Sequence, residues 1–247
     1  MVGAAAALLS PRRAVALAAV VVALVAWDAG AGVLPNVGRW PDVLVVALVV
    51  LPVSLAVPWL ALPLATTRAV PVLLVAFGAL AVALSLAGMG SLFNVTKLLA
   101  LTMLGYLFMQ AFEALSWVVL IALIIPWVDA ISVWRGPTDY VVSEKPGLFD
   151  RISIAFRLPG EEGSANIGPP DILFFALFLS TASRFGLRVG WTWVSMVGLL
   201  VVTLVATTQF DVRGLPALPA IAIGFLLPNV DLIWRAWRER GLEVRDG

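Results

Sequence analysis

Apolar segments of the length needed to cross a bilayer follow one another along almost the whole chain, and this succession strongly limits the possible folds. A transmembrane helix needs about 20 consecutive, mostly apolar residues. Eight segments meet this requirement, and they cover residues 14–34, 43–64, 69–88, 93–112, 114–134, 169–187, 190–209 and 215–234. We therefore expect an all-α fold, a polytopic transmembrane helix bundle of about eight spans that forms a single membrane domain.

The composition agrees with a chain that is surrounded largely by lipid and by other apolar helices. Hydrophobic residues make up 62% of the chain and charged residues 13%, and the mean hydropathy is +1.03. Soluble domains are about 45–50% apolar and about 25% charged. The formal net charge of +1 gives no global preference for nucleic acid. The expected surroundings are the lipid bilayer, and no nucleic-acid partner is predicted.

The chain contains no cysteine and no histidine, which removes several classes of chemistry. Without cysteine there can be no disulfide and no thiol nucleophile. Without histidine there can be no Ser-His-Asp triad and no zinc site built on imidazole. Any reaction must use carboxylates, hydroxyls, amines or the backbone, and we expect neither a metal nor a cofactor.

The first apolar segment has two interpretations. Arg12 and Arg13 precede a short apolar run, and residues 29–32 resemble a signal-peptide cleavage region. The apolar pattern continues through Val33 and Leu34, however, which favours a spanning helix. If both termini are cytoplasmic, nine of the 16 basic residues lie on the cytoplasmic side. The positive-inside rule therefore favours this orientation, with the loop between spans five and six outside.

That loop, residues 135–168, is polar and contains the pattern of a β-strand. Residues 151–158 alternate apolar and other residues, which is typical of a strand. The alternation places four apolar side chains on one face: Ile152, Ile154, Phe156 and Leu158. A flexible connector follows, made of Gly160, Gly163 and Ser164. We predict a short strand or β-hairpin that packs on the membrane surface.

Two aspartates flank this loop. Asp129 follows fifteen uncharged residues and lies within span five, about one and a half turns before its polar end. Asp171 begins span six after two prolines, which suit the first turn of a helix. Because the loop joins the exit of one span to the entry of the next, both carboxylates lie toward the same membrane face. They can therefore meet.

A pair of carboxylates within hydrogen-bond reach can perform acid–base chemistry. Two such groups do not ionise together easily, so they share a proton, and one acts as a base while the other acts as an acid. The base can deprotonate a water for attack on a peptide carbonyl, and the acid can polarise the carbonyl oxygen. The alternative is that each aspartate satisfies a nearby polar group or caps a helix.

Three short sequences around these residues occur in a recognisable order. Trp127-Val128-Asp129 lies in span five, Gly168-Pro169-Pro170-Asp171 opens span six, and Leu215-Pro216-Ala217-Leu218-Pro219 opens span eight. In this respect the chain resembles the presenilin and signal peptide peptidase family of intramembrane aspartyl proteases. That family carries Tyr-Asp, Gly-x-Gly-Asp and Pro-Ala-Leu motifs in the same order. The resemblance covers about residues 114–234.

The resemblance implies specific roles for these residues. Asp129 and Asp171 would be the catalytic pair, and Pro216, Ala217 and Leu218 would shape the site and help to hold the substrate. A helical substrate must unwind before attack. The edge of strand 151–158 could receive the unwound segment by β-augmentation, with Ile152, Ile154 and Phe156 as substrate-binding residues.

Two positions depart from the family pattern. Val128 replaces the tyrosine, which removes a hydroxyl near the pair. Pro170 replaces the glycine before the second aspartate, and proline fixes φ and lacks an N–H donor. These changes leave open a rearranged site, an altered substrate preference or an inactive protein.

The expected organisation is then an N-terminal group of four spans, residues 1–112, followed by the catalytic-type spans, residues 113–247. The preferred function is cleavage of transmembrane segments or remnant signal peptides by an aspartic endopeptidase of a prokaryotic cell membrane. One alternative is a proton-coupled transporter in which the aspartates carry protons. Others are an inactive homologue that binds membrane helices and a prepilin-peptidase-like enzyme, although the latter does not explain Pro-Ala-Leu.

Overall fold

The computed structural model describes residues 9–36, 38–135, 152–160, 164–210 and 216–243. Ten α-helices and two β-strands make up the described elements. The helices are α1 (Pro11–Gly30), α2 (Arg39–Val45), α3 (Leu51–Leu60), α4 (Val70–Leu86), α5 (Gly90–Gln110), α6 (Leu115–Arg135), α7 (Pro169–Arg184), α8 (Val189–Phe210), α9 (Leu218–Leu226) and α10 (Val230–Glu243). The strands are β1 (Ile154–Arg157) and β2 (Ser164–Ile167).

Six helical segments within the described ranges are long and apolar enough to cross a membrane. They are Pro11–Val33, Arg39–Leu64, Gly90–Gln110, Leu115–Ser132, Val189–Phe210 and Leu218–Arg238. The other two predicted spans form shorter helices, α4 and the 16-residue α7. The structure therefore supports a helical, multi-pass membrane fold with six spanning candidates, where the sequence predicts eight.

Three of these segments are not single regular helices, and the first of them, Pro11–Val33, ends in the 3₁₀ turn Ala31–Val33. Residues Val46–Val50 form a π-helical turn that joins α2 to α3, and the 3₁₀ turn Leu227–Asn229 joins α9 to α10. Side chains from other helices bond carbonyls of α3. The Tyr106 hydroxyl donates to the carbonyl of Pro58, and the Trp193 indole donates to that of Leu55 at 2.8 Å. These bonds satisfy backbone groups away from water and tie α3 to α5 and α8.

Helix α7 lies at the centre of the bundle, and residues 175–182 are all buried. It packs closely on α5 at Gly105, where an added Cβ would lie 2.5 Å from the Leu173 carbonyl oxygen. On another side, Phe178 stacks on Phe225 of α9 with ring centroids 4.8 Å apart. The start of α7 is thereby fixed relative to α9, and this arrangement positions the aspartates.

A two-stranded antiparallel sheet connects α6 to α7, as the alternating pattern predicts. Ile154 pairs with Ile167, and Arg157 pairs with Ser164. The connector predicted at Gly160, Gly163 and Ser164 is shorter than expected, because Ser164 is the first residue of β2. Gly163 lies outside the described residues. Gly160 has φ +63°, and an added Cβ would lie 2.5 Å from the Asn36 nitrogen. Glycine is therefore required where this turn approaches the segment after α1.

Candidate active site

Asp129 lies on α6 and accepts a hydrogen bond from the start of α9. Its Oδ2 atom is 3.1 Å from the backbone nitrogen of Leu218. Leu218 is the first residue of α9, and the N–H groups in the first turn of a helix have no partner within the helix. The carboxylate satisfies one of these groups and lies at the positive end of the helix dipole. Asp129 is thus held directly against the Pro-Ala-Leu segment.

Asp171 is the third residue of α7, and its carboxylate turns back toward the residue before the helix. Its Oδ2 atom accepts from the Gly168 nitrogen at 3.1 Å. Gly168 is extended, with φ −66° and ψ 150°, and Pro169 and Pro170 form the first two helical positions. N–H groups there would lack a helical partner in any case, so Pro170 fits the local backbone without loss of a bond.

The two carboxylates lie on neighbouring helices, since Asp129 is on α6, Asp171 is in the first turn of α7, and the two helices are in contact. Both are partly buried, because α6 packs against α7 and α9 on one side. Two negative charges at this depth would repel each other, and two features offset the repulsion. Each carboxylate accepts a hydrogen bond from a backbone N–H. Asp129 lies at the N-terminus of α9 and Asp171 at the N-terminus of α7, where the helix dipole favours negative charge. Such an arrangement can hold one ionised and one protonated group side by side.

The remaining motif residues surround this pair unequally. Leu218 is buried, whereas Pro216 and Ala217 are partly buried at the start of α9. Val128 is 52% exposed and lies on the outer surface of α6 beside the exposed Trp127. The valine that stands in place of tyrosine therefore lies on the outward-facing surface of α6.

The strand residues proposed to bind substrate are mostly packed inside the protein. Ile154 and Phe156 are buried in the core, and only Ile152, which precedes β1, is exposed. The outer edge of β1 is also occupied. The Asn94 side chain accepts from the Ala155 nitrogen at 3.0 Å and donates to the Ala155 carbonyl at 2.7 Å. An added strand could pair there only by displacing Asn94.

Two further contacts hold the same edge of β1. Lys97 donates to the Ser153 carbonyl, and the Trp27 indole donates to the Arg157 carbonyl at 3.2 Å. Arg157 also approaches the buried Asp28 at 3.7 Å. Side chains of α1 and α5 therefore fix the strand that leads, through β2, to Gly168 and Asp171.

Sequence reasoning did not assign a role to Asn94 or Lys97, because polar residues near the ends of apolar segments are normally solvated. The sequence did contain a sign of such a role, because Asn94 and Lys97 are three residues apart and therefore lie on one face of an apolar helix. Among the described residues, no group of three or more acidic side chains is placed to hold a metal ion.

Comparison with known proteins yields no relative. No protein-family model, no curated protein and no solved structure matches this chain. The resemblance to intramembrane aspartyl proteases therefore rests on the three motifs and on their positions in the fold.

Proposed function

We propose that this chain is an intramembrane aspartyl protease of the presenilin and signal peptide peptidase type. Its substrates would be transmembrane segments or remnant signal peptides. The hydrogen bond from the Leu218 N–H to Asp129 carries the proposal, because it joins the Pro-Ala-Leu segment to one of the two candidate catalytic carboxylates. Asp171, at the start of the neighbouring helix α7, would complete the pair.

The reaction follows from a pair that shares one proton. The ionised carboxylate removes a proton from water, and the resulting hydroxide attacks the carbonyl carbon of the scissile bond. The protonated carboxylic acid donates a hydrogen bond to the carbonyl oxygen and then transfers its proton to the leaving amine. The products are a new carboxyl terminus and a new amino terminus. In each aspartate Oδ2 accepts a backbone N–H, so Oδ1 is the oxygen that would face water and substrate.

A substrate within the bilayer would approach Asp129 along α6. Val128 and Ile131, on either side of Asp129, are 52% and 67% exposed, so this surface of α6 faces outward. An apolar helix can pack against such a surface. The partly exposed carboxylate then lies at the boundary between the protein and the incoming helix.

The hairpin would receive the unwound part of the substrate as an added β-strand, which is the binding mode called β-augmentation. Since Asn94 occupies the outer edge of β1, the second strand of the sheet, β2, is the better place for an added strand. Ile154 and Phe156, which are buried in the core, would then support the sheet rather than contact the substrate.

The proposed topology has eight spans, including α4 and α7, with both termini in the cytoplasm of a prokaryotic cell. A short central helix can cross part of a membrane because protein, rather than lipid, surrounds it: residues 175–182 of α7 are buried. The aspartates would then lie toward the outer face.

A cleavage assay tests the proposed activity. Purified protein in detergent is incubated with a tagged transmembrane peptide, and the products are identified by mass spectrometry. We expect the wild type to cut the peptide and the variants Asp129→Asn and Asp171→Asn to leave it intact, since asparagine keeps the side-chain size and cannot exchange the required proton.

Asp42→Asn is the matched control, because Asp42 is also buried in a spanning segment but belongs to another helix, α2. It should cut like the wild type. Cleavage at the wild-type rate by either active-site variant would remove that residue from the mechanism. Binding of the peptide without cleavage by the wild type would favour the inactive, helix-binding homologue.

A further inference from the structure

A groove of about 510 Å³ separates the first half of α6 from the C-terminal helix α10. Its walls are one face of each helix. Val119, Leu120 and Leu123 line one side; Val230, Ile233 and Trp234 line the other. Spacings of three and four residues place each set along a single helical face. Because α9 begins beside Asp129 and α10 follows its far end, the groove lies at the opposite end of α6 from the aspartates.

The shape of the groove favours an acyl chain over a protein helix. Its lining extends along α6 from Leu115 to Leu123, about 12 Å at 1.5 Å per residue. One leaflet of the hydrocarbon core is about 15 Å thick, half of the roughly 30 Å total. A helix with its side chains is about 10–12 Å across, which is wider than a single acyl chain. A lipid tail is thinner and matches both the length and the apolar lining.

The end of the groove nearest the C-terminus of α10 carries positive charge next to tryptophan. The Arg238 guanidinium lies over the ring of Trp234, 5.9 Å from its centroid, and Trp234 itself lines the groove. Arg235 is exposed on the same helix, and Trp237 is 66% exposed. Tryptophan and arginine at the end of a spanning helix mark the level of the lipid headgroups. A negatively charged phosphate group complements this site.

We propose that the groove between α6 and α10 binds one anionic phospholipid. An acyl chain lies between the two helices, and the headgroup phosphate contacts Arg235 and Arg238. The site is separate from the carboxylate pair and does not depend on the protease activity. It would join α10, which follows the Leu227–Asn229 turn, to α6, which carries Asp129.

Native mass spectrometry of the purified full chain in detergent tests the site. The probes are dioleoyl phosphatidylglycerol, which is anionic, and dioleoyl phosphatidylcholine, which is zwitterionic with the same tails. We expect one retained phosphatidylglycerol, held at least tenfold more tightly than phosphatidylcholine. Arg235→Gln and Arg238→Gln should each weaken phosphatidylglycerol about fivefold, the effect of one basic residue near an anionic surface. They should weaken phosphatidylcholine less, because its choline cation offsets the charge of the same phosphate group.

Two further variants separate the groove from general attraction to charge. Leu120→Trp fills the groove from a position that is already 45% exposed, so it should abolish retention of both lipids without unfolding the protein. Arg68→Gln removes an exposed arginine from the turn before α4 and should have no effect. Equal retention of the two lipids, or equal weakening by Arg68→Gln and Arg238→Gln, would overturn the proposal. So would capture of a transmembrane peptide, instead of lipid, by a photocrosslinker placed at Leu120.

Discussion

Replacement of Asn94 by leucine should loosen the hairpin while the helix bundle stays folded. The Asn94 amide makes two hydrogen bonds to Ala155, at 3.0 and 2.7 Å, and the residue is partly buried. Each bond contributes about 0.5–1.5 kcal/mol net, and a polar group left without a partner adds to the loss. The expected cost to the local stability of β1 is therefore about 2–4 kcal/mol.

Amide hydrogen exchange in detergent, followed by mass spectrometry of a peptide that covers residues 152–157, measures this change. Since about 1.4 kcal/mol corresponds to a factor of ten, exchange should accelerate by about 30- to 700-fold. Arg157→Gln is the matched variant on the same strand. This substitution removes the ion pair between Arg157 and Asp28. Because the Arg157 side chain is 49% exposed and exposed ion pairs contribute about 0–1 kcal/mol, exchange should change little.

The hydrogen-exchange result bears directly on the placement of the hairpin. If Asn94→Leu and Arg157→Gln accelerate exchange equally, or if neither does, the two amide bonds do not hold β1. If Asn94→Leu instead accelerates exchange across α5 and α7 as well, the variant has unfolded the bundle and the local effect must be measured with a milder change such as Asn94→Ser.

Four other substitutions give distinct outcomes. Gly168→Ala places a Cβ 3.2 Å from Asp171 Oδ2, so kcat should fall while the thermal midpoint stays the same; an unchanged kcat would contradict the site geometry. Asp42→Leu should raise the free energy of unfolding in detergent by about 1–3 kcal/mol. Both carboxylate oxygens of Asp42 are buried and lack a hydrogen-bond partner among the described residues, so their removal relieves a cost. A lower free energy of unfolding would refute this reasoning. Asn229→Leu should cost about 1–3 kcal/mol of stability, since it breaks a buried hydrogen-bond network. Arg188→Gln, at an exposed ion pair, should cost less, and the reverse order would be inconsistent with the burial of the two groups.

The sequence predicts the helical membrane fold well because the requirement for apolar length is local. Each of the eight apolar segments contains a helix in the structure, and residues 151–158 contain the predicted strand. Six of the eight predicted spans are long enough to be spanning candidates, and α4 and α7 are shorter. α7, with 16 residues, is surrounded by protein, and this could not be read from its own sequence.

The site was predictable in part. Asp129 and Asp171 could be placed toward one membrane face from the loop that joins their helices, and their action as a pair stays a prediction. The bond from Leu218 to Asp129 joins residues 89 positions apart, and no local pattern specifies such a contact. The occupied edge of β1 was missed for the same reason, since Asn94 and Ala155 are 61 positions apart.

The central claim is that Asp129 and Asp171 act as one catalytic unit. Its most direct test is kcat/KM for one transmembrane peptide with the wild type, Asp129→Asn, Asp171→Asn and the double variant. Each single substitution should lower kcat/KM by about 10²–10⁴, and the double variant should be no slower than the singles, because residues that work as a unit are not additive. Cleavage at the wild-type rate by either single variant, or multiplication of the two losses in the double variant, would contradict the claim.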